Sequence, residues 1–147
     1  MKTRVMIVDD EQEFVDSLAE RLTIRDYDVQ TANSGAEAIE TLKHYNMDVV
    51  ILDVLMPGMD GVQTLREIKN LKPLTEVVML TGHATVETAI EGMKLGALEY
   101  LMKPTETDEL VDKINMAQRR KSEQEERIRE AKVREIVSSP RSVLKDE

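Results

Sequence analysis

Three aspartates, a threonine and a lysine stand at the ends of apolar runs, a placement that suits phosphoryl chemistry. Asp9 and Asp10 follow Val5-Met6-Ile7-Val8, and Asp53 follows Val49-Val50-Ile51-Leu52. Thr81 follows Val77-Val78-Met79-Leu80, and Lys103 follows Leu98-Glu99-Tyr100-Leu101-Met102 and precedes Pro104. Three carboxylates brought together repel one another and need a compensating cation. With only oxygen ligands and no His or Cys in the set, a hard ion such as Mg²⁺ is favoured over zinc. A carboxylate beside such an ion can attack phosphorus and form an acyl phosphate. Lys103 and the metal would neutralise charge on the transferring group, and the Thr81 hydroxyl could bond a new phosphoryl oxygen.

The apolar runs must be strands for these residues to meet. Three of them lack in/out alternation, as strands covered on both faces do. Val29-Gln30-Thr31-Ala32 and Leu98–Met102 alternate instead and read as edges. Between the strands lie helix-period segments. Phe14, Leu18 and Leu22 make the first face. Ala36, Ile39 and Leu42 follow a Ser34 cap; Leu65 and Ile68 follow Asp60-Gly61; Ala89, Ile90 and Met93 follow Thr85. Leu110, Ile114 and Ala117 follow Thr107, with Asp108 and Glu109 suited to a positive first turn. Five βα units predict an α/β fold with a flavodoxin-like parallel sheet and helices on both faces. The order 2-1-3-4-5 would set strands one, three and four side by side, with their carboxyl ends on one edge.

Composition narrows the class. The chain has 147 residues and no Cys, which excludes disulfides and thiolate metal sites. The first apolar run is too short for a leader or a membrane span, so a cytoplasmic protein without a membrane partner is expected. Net charge is −9, unevenly spread: residues 1–118 hold 11 basic and 22 acidic side chains, residues 119–147 hold 9 and 7. An acidic body argues against direct nucleic-acid binding. The run Arg119-Arg120-Lys121 reads as a solvated helix face. His44 and His83 lack metal-ligand spacing and read as non-catalytic. The Met residues read as core filler, and Gly61 and Gly82 as backbone devices.

The string from Ile51 through Asp53, Pro57-Gly58 and Asp60 to Gly61 resembles the phosphorylation loop of bacterial response-regulator receiver domains. Val8-Asp9-Asp10-Glu11, Leu80-Thr81-Gly82-His83-Ala84 and Tyr100-Leu101-Met102-Lys103-Pro104 are similar to that family's other motifs, in order and spacing. The resemblance covers roughly residues 4–118. It is closest to receivers of nitrogen-regulation-type activators, as Leu-Thr-Gly-His at 80–83 suggests. It implies that Asp53 accepts a phosphoryl group from a histidine kinase or phosphotransfer protein. It further implies that Asp10 binds Mg²⁺ directly, Asp9 mostly through water, with the Leu55 carbonyl a further ligand. Lys103 would pair with the phosphoryl group. Thr81 and Tyr100 would form a switch that alters a face for a downstream target. The Lys103–Pro104 peptide would be cis. One departure is Thr105, where many relatives have Phe; it bears on packing below the last helix.

Rival chemistries fit less well. A phosphatase of the haloacid dehalogenase type needs a second acid two residues after the nucleophile, and Leu55 stands there. A flavin or nucleotide carrier needs a Gly/Ser/Thr-rich loop after strand one, where Asp9-Asp10-Glu11 is its electrostatic opposite. No helix-turn-helix or ATPase signature follows residue 118. The expectation is a switch rather than a turnover enzyme, either stand-alone or the excised receiver of a longer activator.

The organisation expected is a receiver domain over 1–118, a helical extension over 119–137 and a frayed tail over 138–147. From Thr107 to Ile136 there is no Gly or Pro. Opposite charges recur at helical spacing: Arg119 with Glu123, Lys121 with Glu125, Glu123 with Arg127, Glu125 with Arg129, Glu130 with Arg134. A heptad frame runs through Leu110, Ile114, Ala117, Lys121, Gln124, Ile128, Ala131 and Glu135, weakened by its polar positions. A protruding helix is predicted that pairs with a second copy or a partner in a phosphorylation-dependent way, the alternative being a solvated linker.

Overall fold

The computed structural model describes residues 2–56, 60–82 and 85–138. Pro57-Gly58, His83-Ala84 and the tail from Ser139, each read above from sequence, lie outside the described residues. The elements alternate: β1 (Arg4–Val8), α1 (Gln12–Ile24), β2 (Asp28–Ala32), α2 (Gly35–His44), β3 (Val49–Leu52), α3 (Gly61–Leu71), β4 (Glu76–Thr81), α4 (Val86–Lys94), β5 (Glu99–Met102) and α5 (Thr107–Ser138). All neighbouring strands pair in parallel, in the order β2-β1-β3-β4-β5. The two alternating segments are the edges, as expected.

The strand period of two sorts the β-branched and aliphatic residues into two cores. Met6, Val8, Val50, Leu52, Val77 and Met79 face α2 and α3 through Leu42, Leu65 and Ile68. Val5, Ile7, Val49, Ile51, Val78 and Leu80 face α1 and α5 through Leu18, Leu22, Leu110 and Ile114. The three central strands have apolar side chains buried on both faces, which is why their sequences show no alternation.

Three helices start at side-chain caps. Ser34 accepts from the Glu37 N–H, Asp60 from the Gln63 N–H and Thr85 from the Thr88 N–H. Thr107 plays another part: it is already the first residue of α5, and its hydroxyl accepts from Arg21 at 2.8 Å. Helix α4 departs from the expected core. Ile90 and Met93, read from sequence as core-facing, are exposed, and only Gly92 on this helix is buried. The short helix docks through its smallest residue against Met79 and Tyr100, leaving larger side chains on its flanks.

Helix α5 continues unbroken to Ser138, about 48 Å at 1.5 Å per residue. Its buried positions end at Ala117. Beyond them Lys121 pairs with Asp48 at 3.3 Å and Arg120 approaches Glu76 at 3.7 Å, tying the next turn to the body. From Glu125 onward every described residue is exposed. Of the five intrahelical pairs expected, Lys121–Glu125 forms at 3.3 Å, while Arg129 turns to Glu126 instead of Glu125. The other expected pairs are not formed among the described residues. Exposed long side chains gain too little from such pairs to be held in one geometry.

Candidate functional site: an acidic cluster at the carboxyl edge of the sheet

The backbone brings the chemistry-bearing residues to one edge. The Asp53 N–H donates to Val8 O at 2.9 Å, the Asp9 N–H to Ala32 O at 3.1 Å and the Lys103 N–H to Thr81 O at 2.9 Å. Each of these residues is thus fixed by the strand ladder at its own strand's end. The Lys103–Pro104 peptide is cis. Carboxylate oxygens of Asp9, Asp10 and Asp53 lie within 4.8 Å of one another, with Asp9 and Asp53 buried and Asp10 exposed.

Lys103 spans this cluster. Its ammonium donates to Asp9 Oδ2 at 2.6 Å and to Glu11 Oε1 at 3.2 Å, and stands 3.9 Å from Asp53 Oδ2. Burial alone would lower the Lys103 pKa, but the hydrogen bond and charge of Asp9, the charge of Asp53 and the bond to Glu11 outweigh it and raise it. Asp9 is shifted up, chiefly by burial and further by the Asp53 charge, against the opposing bonds from Lys103 and the Glu11 N–H. The Glu11 N–H donates to Asp9 Oδ1 at 3.0 Å, so both Asp9 oxygens are engaged.

Asp53 differs. Its Oδ1 is buried and meets no hydrogen-bond donor among the described residues. An unsatisfied buried carboxylate oxygen is costly unless something fills its coordination. A hard divalent cation fits that need, since the cluster offers carboxylate oxygens alone and an exposed side at Asp10 for water. These residues therefore suit a Mg²⁺ ion.

Gly61 secures the loop from the other side. Its N–H donates to Val54 O at 2.7 Å, and a Cβ there would lie 2.2 Å from Asp53 O and 2.4 Å from Val54 Cα. The start of α3 can pack onto the Asp53 backbone only because this residue has no side chain. At Gly82 a Cβ would meet nothing within 4 Å among the described residues.

The remaining expected residues fall around the cluster. Thr81 is fully buried at the end of β4. Tyr100 is half-buried, and its hydroxyl is bonded to Thr88 Oγ1 at 2.9 Å. Leu55 follows two residues after Asp53 with an exposed side chain. His44 is exposed at the end of α2, 3.5 Å from Glu40. Three contacts lie outside what the sequence predicts. Glu11 and Phe14 both contact Lys103, and Thr88 contacts Tyr100. Glu11 could have been flagged by its charge beside Asp10; an apolar Phe14 within a helix face gives no such signal.

The response regulator receiver domain model matches residues 5–115. The transcriptional regulatory protein ZraR of Escherichia coli (strain K12) is 42% identical over 106 residues, which make up 72% of this chain and 24% of that protein. The chain thus spans about a quarter of the length of ZraR and of the regulatory protein AtoC of the same organism. The receiver domain of NtrX from Brucella abortus has a TM-score of 0.74 at 31% identity, covering 78% of this chain and 98% of that one. A response regulator protein from Burkholderia pseudomallei, solved with a phosphorylated aspartic acid, calcium ion and citrate, has a TM-score of 0.74 at 25% identity, covering 84% and 73%.

Proposed function

Because the chain belongs to the response regulator receiver domain family, we propose that it is a phosphoacceptor switch of a two-component system, with Asp53 as the acceptor. The observation that carries this reading is the buried, unsatisfied Oδ1 of Asp53 beside two further aspartates and a lysine. The Burkholderia relative, described with a phosphorylated aspartic acid and a calcium ion, supports it.

In this reading an Asp53 oxygen attacks the phosphorus of a histidine kinase or phosphotransfer protein's phosphohistidine. The O–P bond forms as the P–N bond breaks, and the electron pair stays on the donor imidazole. Asp9, Asp10, Asp53 and the Leu55 carbonyl would hold Mg²⁺, which supplies charge neutralisation on the phosphoryl oxygens when bound. Lys103 turns its ammonium toward the phosphoryl group, and Thr81 offers a hydroxyl to one of its oxygens. Loss of the Thr81 hydroxyl to that oxygen frees room at the end of β4, and Tyr100 leaves Thr88 to occupy it. The face built from α4, β5 and α5 then changes for a downstream target, a shift between pre-existing states. The chain turns over no separate substrate in this scheme; it takes up and loses the group on its own carboxylate.

A second reading concerns what surrounds this domain. The quarter-length match to ZraR and the continuous α5 favour a receiver segment of a longer transcriptional activator, in which DNA contact belongs to other segments. The exposed part of α5 is then the linker, or the place where a second copy pairs upon phosphorylation.

The test is intact mass after incubation with acetyl phosphate and Mg²⁺. A single phosphoryl adduct is expected on the parent and none on Asp53→Ala. An adduct that persists in Asp53→Ala overturns the assignment.

A further inference from the structure

Lys103 has a partner that phosphoryl transfer, as described, does not use. Its ammonium lies 4.0 Å from the centroid of the Phe14 ring. Phe14 sits in the first turn of α1, half-buried, packed on the core that α1 shares with Leu80 and Leu110. The Lys103 side chain is only 14% exposed, so little water screens the pair. A cation over an aromatic face is held by the ring's negative quadrupole, more strongly as water is excluded. Phe14 also lines a cavity of about 230 Å³, whose other walls are Leu18, Leu80, Lys103, Pro104 and Leu110 together with the polar Arg21, Thr105 and Thr107.

The ammonium has three acceptors of unequal reach: Asp9 at 2.6 Å, Glu11 at 3.2 Å and Asp53 at 3.9 Å. Moving the ammonium toward a group on Asp53 lengthens the first two contacts. A hydrogen bond is lost within a few tenths of an ångström, whereas cation–π attraction persists to about 6 Å from the ring centroid. The ring can therefore hold the ammonium throughout the exchange. Without it, Asp9 and Glu11 are the contacts left to hold the ammonium short of Asp53.

We infer that Phe14 is a positioning residue for phosphoryl transfer, its ring face holding the Lys103 ammonium while that group exchanges Asp9 and Glu11 for the phosphoryl on Asp53. The kinetic part of this role rests on Asp53 being the phosphoacceptor.

Phe14 is the sole phenylalanine of the chain, so fluorinated phenylalanine supplied in its place alters this ring alone. The full chain is phosphorylated with acetyl phosphate and Mg²⁺, and the rate is followed by intact mass. Phe14→Leu is expected to slow uptake about fivefold, Phe14→Tyr to stay near the parent. Rates should fall stepwise from 4-fluoro- to 3,5-difluorophenylalanine while the unfolding midpoint holds, because fluorine drains the ring face without changing its packing. In the unphosphorylated protein, the Lys103 ε-methylene protons should show an upfield ring-current shift that Phe14→Leu abolishes. A Leu variant phosphorylated as fast as the parent or faster, a flat fluorine series, or no ring-current shift overturns the inference. If the parent itself takes up no phosphoryl group, the phosphoacceptor reading fails and the positioning role with it, while the ring-current shift still reports whether the contact exists.

Discussion

Lys103 is bonded to Asp9 rather than to Asp53, at 2.6 Å against 3.9 Å. In the unphosphorylated protein the lysine thus neutralises a carboxylate that is only 2% exposed. Lys103→Met should leave that buried charge without its cation and lower stability by about 2–3 kcal/mol at neutral pH without metal. Urea unfolding measures this. Adding Mg²⁺ should recover much of the loss, and a variant as stable as the parent without metal would show the pair to be inconsequential.

Asp10 is the exposed member of the acidic cluster. Asp10→Asn should abolish the rise in melting temperature that Mg²⁺ produces in the parent, because binding to the native state alone is what raises it. The metal-free variant should melt at or above the parent, since one of three mutually repelling charges is gone. Thermal scans with and without Mg²⁺ decide both points, and an undiminished Mg²⁺ shift would mean that the ion sits elsewhere.

Gly61→Ala places a methyl group where Asp53 O and Val54 Cα already stand. Both are backbone atoms, so no side chain can swing aside, and a loss of about 3 kcal/mol is expected. Chemical denaturation gives the stability. Phosphoryl uptake should fall as well, because the displaced backbone is that of Asp53 itself.

Lys69 offers a pH test away from the cluster. Burial lowers its pKa from the ordinary 10.5; Glu76 opposes the shift and Arg120 adds to it. The folded protein therefore releases this proton at lower pH than the unfolded chain does. Between the two pKa values the unfolded state binds more protons, so this group makes stability rise with pH up to about 10.5. The stability difference, parent minus Lys69→Met, should increase as pH climbs toward 10.5. A difference that shrinks over that range contradicts the burial of the ammonium.

Ending the chain at Gln118 removes Arg120 and Lys121 and with them the ion pairs to Glu76 and Asp48. These pairs are partly exposed, so the expected cost is only about 1 kcal/mol. Sedimentation of both lengths, with and without beryllofluoride, tests pairing of copies. The full chain should self-associate with beryllofluoride and the shortened one should not. Two monomers under every condition rule out self-association and leave α5 as a linker or as the docking helix for another partner.

The sheet order and the site were legible for one physical reason. Strand ends are marked by abrupt changes from Val, Ile and Leu to Asp, Thr or Lys, and a parallel sheet delivers all such ends to one edge. Asp9, Asp53 and Lys103 were visible on that basis. What escaped depended on angles between elements. Phe14 has an apolar side chain at a helix-period position, so its sequence signal is that of core, and only the placement of α1 over the Lys103 stem reveals its second contact. Thr88 was invisible because its partner Tyr100 lies on another element. On α4, Ile90 and Met93 had the right spacing for burial, yet the close approach at Gly92 turned the helix onto its smallest side chain. The charge pairs on α5 were spaced correctly, but spacing only permits a pair between solvated side chains.

The unbroken course of α5 from Thr107 to Ser138 sets a rotational phase as well as a length. Each residue turns the helix by about 100°, so anything joined in helical register beyond Ser138 faces a direction fixed by the count of residues from Ala117. Inserting one residue after Lys121 would swing such an attachment about a quarter turn around the helix axis, whereas inserting seven would return it to within about 20° of its starting direction. Splicing experiments on this helix should therefore give responses that oscillate with insert length rather than decay with it.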